Sequence, residues 1–241
     1  MSDELLANEN EKLETHLKMV AEISESLAEK ITQGSIKFTE LAYLAGSLHD
    51  VGKALTIYQA HKIGYLAHEI VSGVTTAEIC RLLEYSEEDS YVVTHAVLYH
   101  MQGYGSIHER FKRLYLLARK VKLNYDPRTP TMLTRVLCRK WSVSESEISE
   151  VLRRSVIELD RLLKLKGNIA HQVLSRVREV LSLTSLYEDV LTLHKARILT
   201  GIVIVSDKWV SVMNREGRRT SLYFKCVEQL FKGFNIIGSS L

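Results

Sequence analysis

Two prolines, Pro127 and Pro130, are all that the 241 residues contain, and both lie in one short stretch, NYDPRTP. Proline removes a backbone donor and breaks helices, while β-architectures need frequent Gly and Pro turns. A chain so poor in proline, with scattered glycines and abundant Leu, Ala, Glu, Lys and Arg, favours helices along its length. The sequence therefore predicts an all-α fold, with NYDPRTP as its strongest linker candidate. Its length fits one domain of about 200–250 residues. Residues 1–241 are read as that single domain, with room for a helical insertion between about Pro127 and Thr184.

The hydrophobic fraction of 46% allows a large core, and 25% charged residues is an ordinary globular value. A net charge of +3 permits a polyanionic partner without demanding one. Three distant cysteines, Cys80, Cys138 and Cys226, form no CxxC pair and read as reduced thiols. The N-terminal MSDELLANENEKLE is acidic and unlike a signal peptide. The apolar run ILTGIVIVS near residue 200 is too short to span a bilayer. A cytoplasmic protein with no membrane partner is expected.

Apolar residues Leu13, Val20, Ile23 and Leu27 recur at helical spacing from Glu9 to Ile31, where Gly34 ends the run. Thr39 can cap the next helix, LAYLAGSLHD. Another starts near Ala67 with HEIVSGVTTAEICRLLEY. Ser86-Glu-Glu-Asp-Ser has capping character before SYVVTHAVLYHM. A loop GYGS, a basic helix around FKRLYLLARKVKL and further helices follow, with a break at NREGRRT.

Seven of the nine histidines fall in the first half: His16, His49, His61, His68, His95, His100 and His108. Several ligands on separate helices are what a bundle needs to build a metal site in its interior. The sharpest element is His49-Asp50 in AGSLHDVGKA. A phosphate-binding loop is excluded, because it needs four residues between its glycines and Ser or Thr after the Lys. Gly46 and Gly52 are separated by five residues, and Ala54 follows Lys53. Adjacent helical residues point about 100° apart, so His49 and Asp50 can flank one point in space. Imidazole suits Zn, Fe or Ni and carboxylate suits Mn or Mg, so a mixed set leaves the metal open.

His16 lies on the apolar face of its helix and must be satisfied there. His68 opens its helix beside Glu69. Asp207, in the apolar run VIVSDKWVSV, needs a metal or a cationic partner, and a salt bridge to a nearby Lys or Arg is the plainer reading.

In this order, His16, HDVGK, HEIVS with Ser72, AVLYHM and VSDKW, the chain resembles the HD superfamily of metal-dependent phosphohydrolases. More narrowly, it resembles the HD nuclease of type I CRISPR interference, whose motifs commonly read HDxGK and HExxS. The resemblance implies a helical bundle with an interior metal site. It implies one ion held by His16, His49, Asp50 and Asp207, and a second by Asp50, His68 and His100, with Asp50 bridging. The metals implied are divalent: Mn, Ni, Co, Fe or Mg.

The family usually carries two adjacent histidines where this chain has His100-Met101. His95 is a substitute ligand in sequence, although it lies about 140° around a regular helix from His100. His108 is another candidate donor, and His61 has no assigned role.

Asp50 and Lys53 are the expected catalytic residues. Lys53, Arg110 and Lys112 are expected to meet the phosphates of the substrate, with Lys53 alternatively snorkelling at a helix end. Glu69 either orients a ligand His or merely occupies a first helical turn. The basic runs are either a track for a DNA backbone or a solvated helix face. Tyr99, Tyr104 and Phe111 could stack on unpaired bases, or pack in the core.

By resemblance, the activity is a metal-dependent DNA nuclease, cutting single strands as endo- or exonuclease, with RNA as another possible substrate. Its implied partners are a separate helicase subunit and a crRNA-guided surveillance complex, since 241 residues without a phosphate loop cannot hold the helicase. Hydrolysis of nucleotides or cyclic nucleotides is the alternative, and a metal-free regulatory module is a third reading.

Overall fold

The computed structural model describes residues 4–8, 10–61, 67–101, 107–163, 189–214 and 222–233. Its helices are α1 (Leu13–Ile31), α2 (Ile36–Leu48), α3 (Thr56–His61), α4 (His68–Leu82), α5 (Glu87–Tyr99), α6 (Ile107–Ala118), α7 (Thr129–Leu137), α8 (Glu145–Leu163), α9 (Val190–Met213) and α10 (Leu222–Gly233). A 3-10 turn, Val51–Ala54, separates α2 from α3. The all-α expectation holds, with one small addition. Strands β1 (Leu6–Asn8) and β2 (Glu11–Lys12) form an antiparallel hairpin ahead of α1. That hairpin moves the start of α1 to Leu13, later than the Glu9 expected from periodicity.

Helix α4 is the centre of the bundle. Its residues are buried from His68 through Cys80, as expected of a helix with neighbours on all sides. It packs against α5, α8 and the 3-10 turn, while α1 packs against α2 and α9, and α9 also meets α5. Leu13, Leu17, Val20, Leu27 and Ala28 form the buried stripe of α1.

The helix ends follow local chemistry, with one correction. Ser86 Oγ accepts the backbone N–H of Asp89 at 3.2 Å, which caps α5 as expected. Thr39 caps nothing. Helix α2 begins earlier, after Ser35, and the Thr39 hydroxyl donates to Ser35 O at 2.8 Å from within the helix. Gln33 and Gly34 have φ of 52° and 91°, and this left-handed corner turns the chain after α1.

NYDPRTP, expected as a linker, is instead stitched to the turn that follows Asp50. Thr56 N–H donates to Asn124 O and Asp126 N–H to Ala54 O, each at 2.9 Å. Pro130 then sits in the first turn of α7, where a missing N–H costs nothing. Within the expected insertion, α7 and α8 pack on each other and α8 packs on α4. Residues 164–188 of that insertion, the GYGS loop and most of NREGRRT lie outside the described residues. Among the described residues, no helix is long and apolar enough to cross a membrane.

The α1–α2 crossing depends on Gly46. A Cβ there would stand 2.7 Å from Ala21 Cα and 2.9 Å from Val20 O, both backbone atoms that no rotamer change can move. Gly46→Ala is expected to lower stability by about 1–3 kcal/mol, because overpacking outweighs the gain in helix propensity. Urea unfolding of the metal-free protein measures this; an unchanged or higher midpoint would contradict the close crossing.

Candidate metal centre

Helix ends and one 3-10 turn bring the polar residues together in the apolar interior. His16 closes the first turn of α1. His49 is the residue after α2, its N–H still bonded to Ala45 O, and Asp50 follows it. His68 opens α4, His100 ends α5, and Asp207 lies in α9. All six are buried. Two helix C-termini, those of α2 and α5, present their partial negative charge here, which favours a cation.

The residues form two groups that share Asp50. In the first, ligand atoms of His16, His49, Asp50 and Asp207 lie within 4.8 Å of one another; in the second, those of Asp50, His68 and His100 do. Asp50 divides its carboxylate between them. Its Oδ2 is 3.3 Å from His16 Nε2 and 3.4 Å from His49 Nε2. Its Oδ1 is 2.7 Å from His68 Nε2 and 3.4 Å from His100 Nε2. Asp207 Oδ1 closes the first group at 3.3 Å from His16 Nε2 and 3.9 Å from His49 Nε2. It also accepts the Ser211 hydroxyl at 3.2 Å.

The tautomers decide what such a centre can hold. His49 Nδ1 donates to Gly46 O at 2.8 Å, and His100 Nδ1 donates to Val97 O at 2.7 Å. His16 Nδ1 donates to the Glu11 carboxylate at 2.8 Å. In the ligating tautomer each proton is therefore on the outer nitrogen, which leaves each Nε2 to present a lone pair inward. The Nε2 atoms of His16 and His49 face each other at 3.3 Å, with carboxylate oxygens beside them. Lone pairs and anions crowd one buried volume, and a cation is what that donor set fits. Without a metal, protons must serve.

The titration behaviour agrees. Burial opposes protonation of His16, but Asp207, Asp50 and Glu11 outweigh it and raise its pKa well above the ordinary value. His49 is raised too, burial being overcome by Asp50 and Asp207. Burial would raise Asp50, yet Lys53, His49, His68 and His100 hold it well below the carboxylate range. Asp207 is held low by His16 and His49 against its burial. Burial pushes His100 below its ordinary value, aided by His49 and His68, which leaves it neutral.

The two motif pentapeptides of the sequence, HDVGK and HEIVS, are locked to one another. Gly52 N–H donates to Ser72 Oγ at 2.8 Å. A Cβ on Gly52 would stand 2.2 Å from His68 O, so only glycine lets the turn lie on the start of α4. Ser72 and Gly52 thus set the distance between Asp50 and His68. Lys53 reaches back from the same turn, its Nζ 2.5 Å from Asp50 Oδ2 and its side chain 15% exposed.

Other expected residues fall elsewhere. His95 joins neither group. It lies on the regular part of α5, rotated away from His100, with its Nδ1 3.2 Å from Thr200 Oγ1, and burial pushes its pKa down to about 4. Arg110 is not at the surface to meet a substrate: it is buried, with Nε 2.7 Å from Glu69 Oε1. Lys112 is exposed on α6. Phe111 is a core residue, and Tyr99 packs partly buried against the core. The side chains of His61 and His108, and Tyr104, lie outside the described residues.

Glu11 and Asn214 were not anticipated. Glu11 Oε1 accepts hydrogen bonds from His16 Nδ1 and the Asn214 amide, and Oε2 accepts one from Asn8 Nδ2 at 2.5 Å. Only the hairpin folds Glu11 back onto α1, and the turn-forming Asn8 and Asn10 are its one trace in the sequence.

A family model described as HD domain matches residues 13–130. No curated protein and no solved structure matches the chain.

Two outcomes follow for the isolated protein. The carboxylates around His16 and His49 raise both pKa values, so a proton held there must be released before either can ligate, whereas Asp50 and Asp207 are held low. Metal affinity is therefore expected to rise with pH through neutrality, up to about tenfold per unit for each proton released, and to level off above the raised His16 pKa. Calorimetry in buffers of different ionisation enthalpy counts the protons; zero release would contradict the assignment. Glu11→Ala is expected to weaken metal binding by about 10–100-fold while Glu11→Gln, which keeps an acceptor, weakens it less. Equal effects of the two variants would remove the orienting role.

Proposed function

We propose that this chain, whose residues 13–130 match a family model described as HD domain, is a metal-dependent phosphohydrolase and, more narrowly, a two-metal nuclease that cuts single-stranded DNA. The observation that carries the reading is the divided carboxylate of Asp50, one oxygen in each ligand group. His16, His49, Asp50 and Asp207 would hold one divalent ion, and Asp50, His68 and His100 the other. Bound there, a pair of ions supplies a water of lowered pKa and Lewis-acid stabilisation of the leaving oxygen.

The protein's own part is orientation and charge. Asp50 fixes the two groups relative to each other, and the Gly52–Ser72 bond fixes Asp50 relative to α4. The Nδ1 bonds to Glu11, Gly46 and Val97 hold three imidazoles in their ligating tautomer. Lys53 neutralises Asp50 and, from its place at the partly exposed edge, meets the scissile phosphate as a point charge. Exposed Lys112, Arg113, Arg119 and Lys120 on and after α6 offer the strand backbone a basic track.

The sequence HDVGK with HEIVS supports placing this nuclease in CRISPR interference, beside a separate helicase polypeptide and a crRNA-guided complex that exposes a single strand. The metal is a divalent ion from the Mn, Ni, Co, Fe and Mg set, which the mixed imidazole–carboxylate donors accommodate.

Circular single-stranded DNA incubated with the protein and Mn is expected to be cut, whereas dNTPs release no product. Asp50→Ala is expected to reduce cutting to background and to lower the bound metal. Lys53→Ala should slow cutting by about 100-fold with metal affinity unchanged or higher, since a competing cation leaves Asp50. Hydrolysis of dNTPs with intact circular DNA would replace this reading with nucleotide hydrolysis, and cutting by Asp50→Ala would remove the site assignment.

A further inference from the structure

We propose that Arg110 is a positioning residue that holds His68 and His100 in register for the second ion, an inference that rests on the two-ion reading above. Its side chain contacts the neighbour of each of these ligands. Arg110 Nε lies 2.7 Å from Glu69 Oε1, and Glu69 follows His68 in the chain. A terminal nitrogen of the same guanidinium donates to the carbonyl oxygen of Met101, which follows His100. One planar group therefore ties the first turn of α4 to the residue beyond α5.

The second group needs such a brace more than the first. It has three protein donors among the described residues, and one of them, His100, sits at a helix end. The last carbonyls of a helix lack intrahelical partners, and chain ends of this kind loosen first. Met101 brings no imidazole of its own, but its carbonyl gives Arg110 a fixed point immediately beyond His100. Glu69 approaches His68 directly, with Oε2 3.8 Å from His68 Nδ1.

Charge and shape both select arginine here. Glu69 and Arg110 are buried, and a buried ion pair adds little stability over apolar residues of the same size. Its geometry is what apolar residues cannot supply. A guanidinium offers several donors in a rigid fork, so it can meet a carboxylate and a carbonyl at once, where an ammonium is a single point charge. Glu69 cancels the positive charge of Arg110, which would otherwise repel a cation bound by His68 and His100.

The test is Mn titration of the full chain by calorimetry, with the EPR spectrum recorded at saturation. The wild type is expected to take two ions and to show a spin-coupled pair. Arg110→Ala should keep the first ion within about threefold, weaken the second by about 10–100-fold, and return the six-line signal of isolated Mn. Arg110→Lys keeps the charge but not the fork, and should behave like Arg110→Ala. The double variant E69Q/R110Q leaves no lone buried charge, so it tests the brace where Arg110→Ala alone folds poorly; it too should lose the second ion. Folded variants that take both ions with wild-type affinity would overturn the role of Arg110, as would equal weakening of both ions. A wild type that takes one ion would instead overturn the two-ion reading itself.

Discussion

A carboxylate with neither oxygen in water must be satisfied from within, and Asp50 is such a group. Its charge is the pivot of the interior. Around it the chain gathers imidazoles from α1, α2, α4 and α5 and an ammonium from the following turn. Each element arrives where it does because a polar side chain placed deep among Leu, Val and Ala would otherwise be costly. The apolar packing of the bundle and the polar centre are thus not separate achievements. The first sets the low-dielectric surroundings in which the second is strongly held.

The backbone makes the same point. Gly46 lets α1 and α2 approach closely enough for His16 and His49 to meet, and its carbonyl also accepts the hydrogen bond from His49 Nδ1. Gly52 lets the turn that carries Asp50 and Lys53 lie directly on the start of α4. Two absent side chains therefore determine the distances among four present ones. A structural account of the centre that named only its donors would omit the reason they converge.

The helical class was legible from proline scarcity and from the period of Leu13, Val20 and Leu27, because both signals are local. The grouping of His16, His49, Asp50, His68, His100 and Asp207 was legible from their motif order through the resemblance to the HD superfamily, while apolar context alone marked only His16 and Asp207 as polar groups in need of a partner. His95 stood in the same kind of context, and helical rotation alone argued against it; the regular course of α5 settles its direction toward Thr200. Arg110 was misread because a basic run looks like a surface track, and only tertiary packing buries one of its members beside Glu69. Glu11 escaped because nothing local says that a hairpin precedes α1. Ser72 was visible as a motif letter, but its bond to Gly52 depends on two segments meeting in space.

The order of these residues along the chain has a consequence for synthesis. Asp50, His68 and His100 are all translated within the first hundred residues or so, and they belong to neighbouring helices. Asp207, with Asn214 holding Glu11 from beyond it, comes from α9, well past the stretch that matches the family. During translation the ribosome releases one ligand set long before the other can exist. His16 must wait for Asp207, which lies far further along the chain, so the growing polypeptide cannot assemble its first ligand set until α9 has emerged.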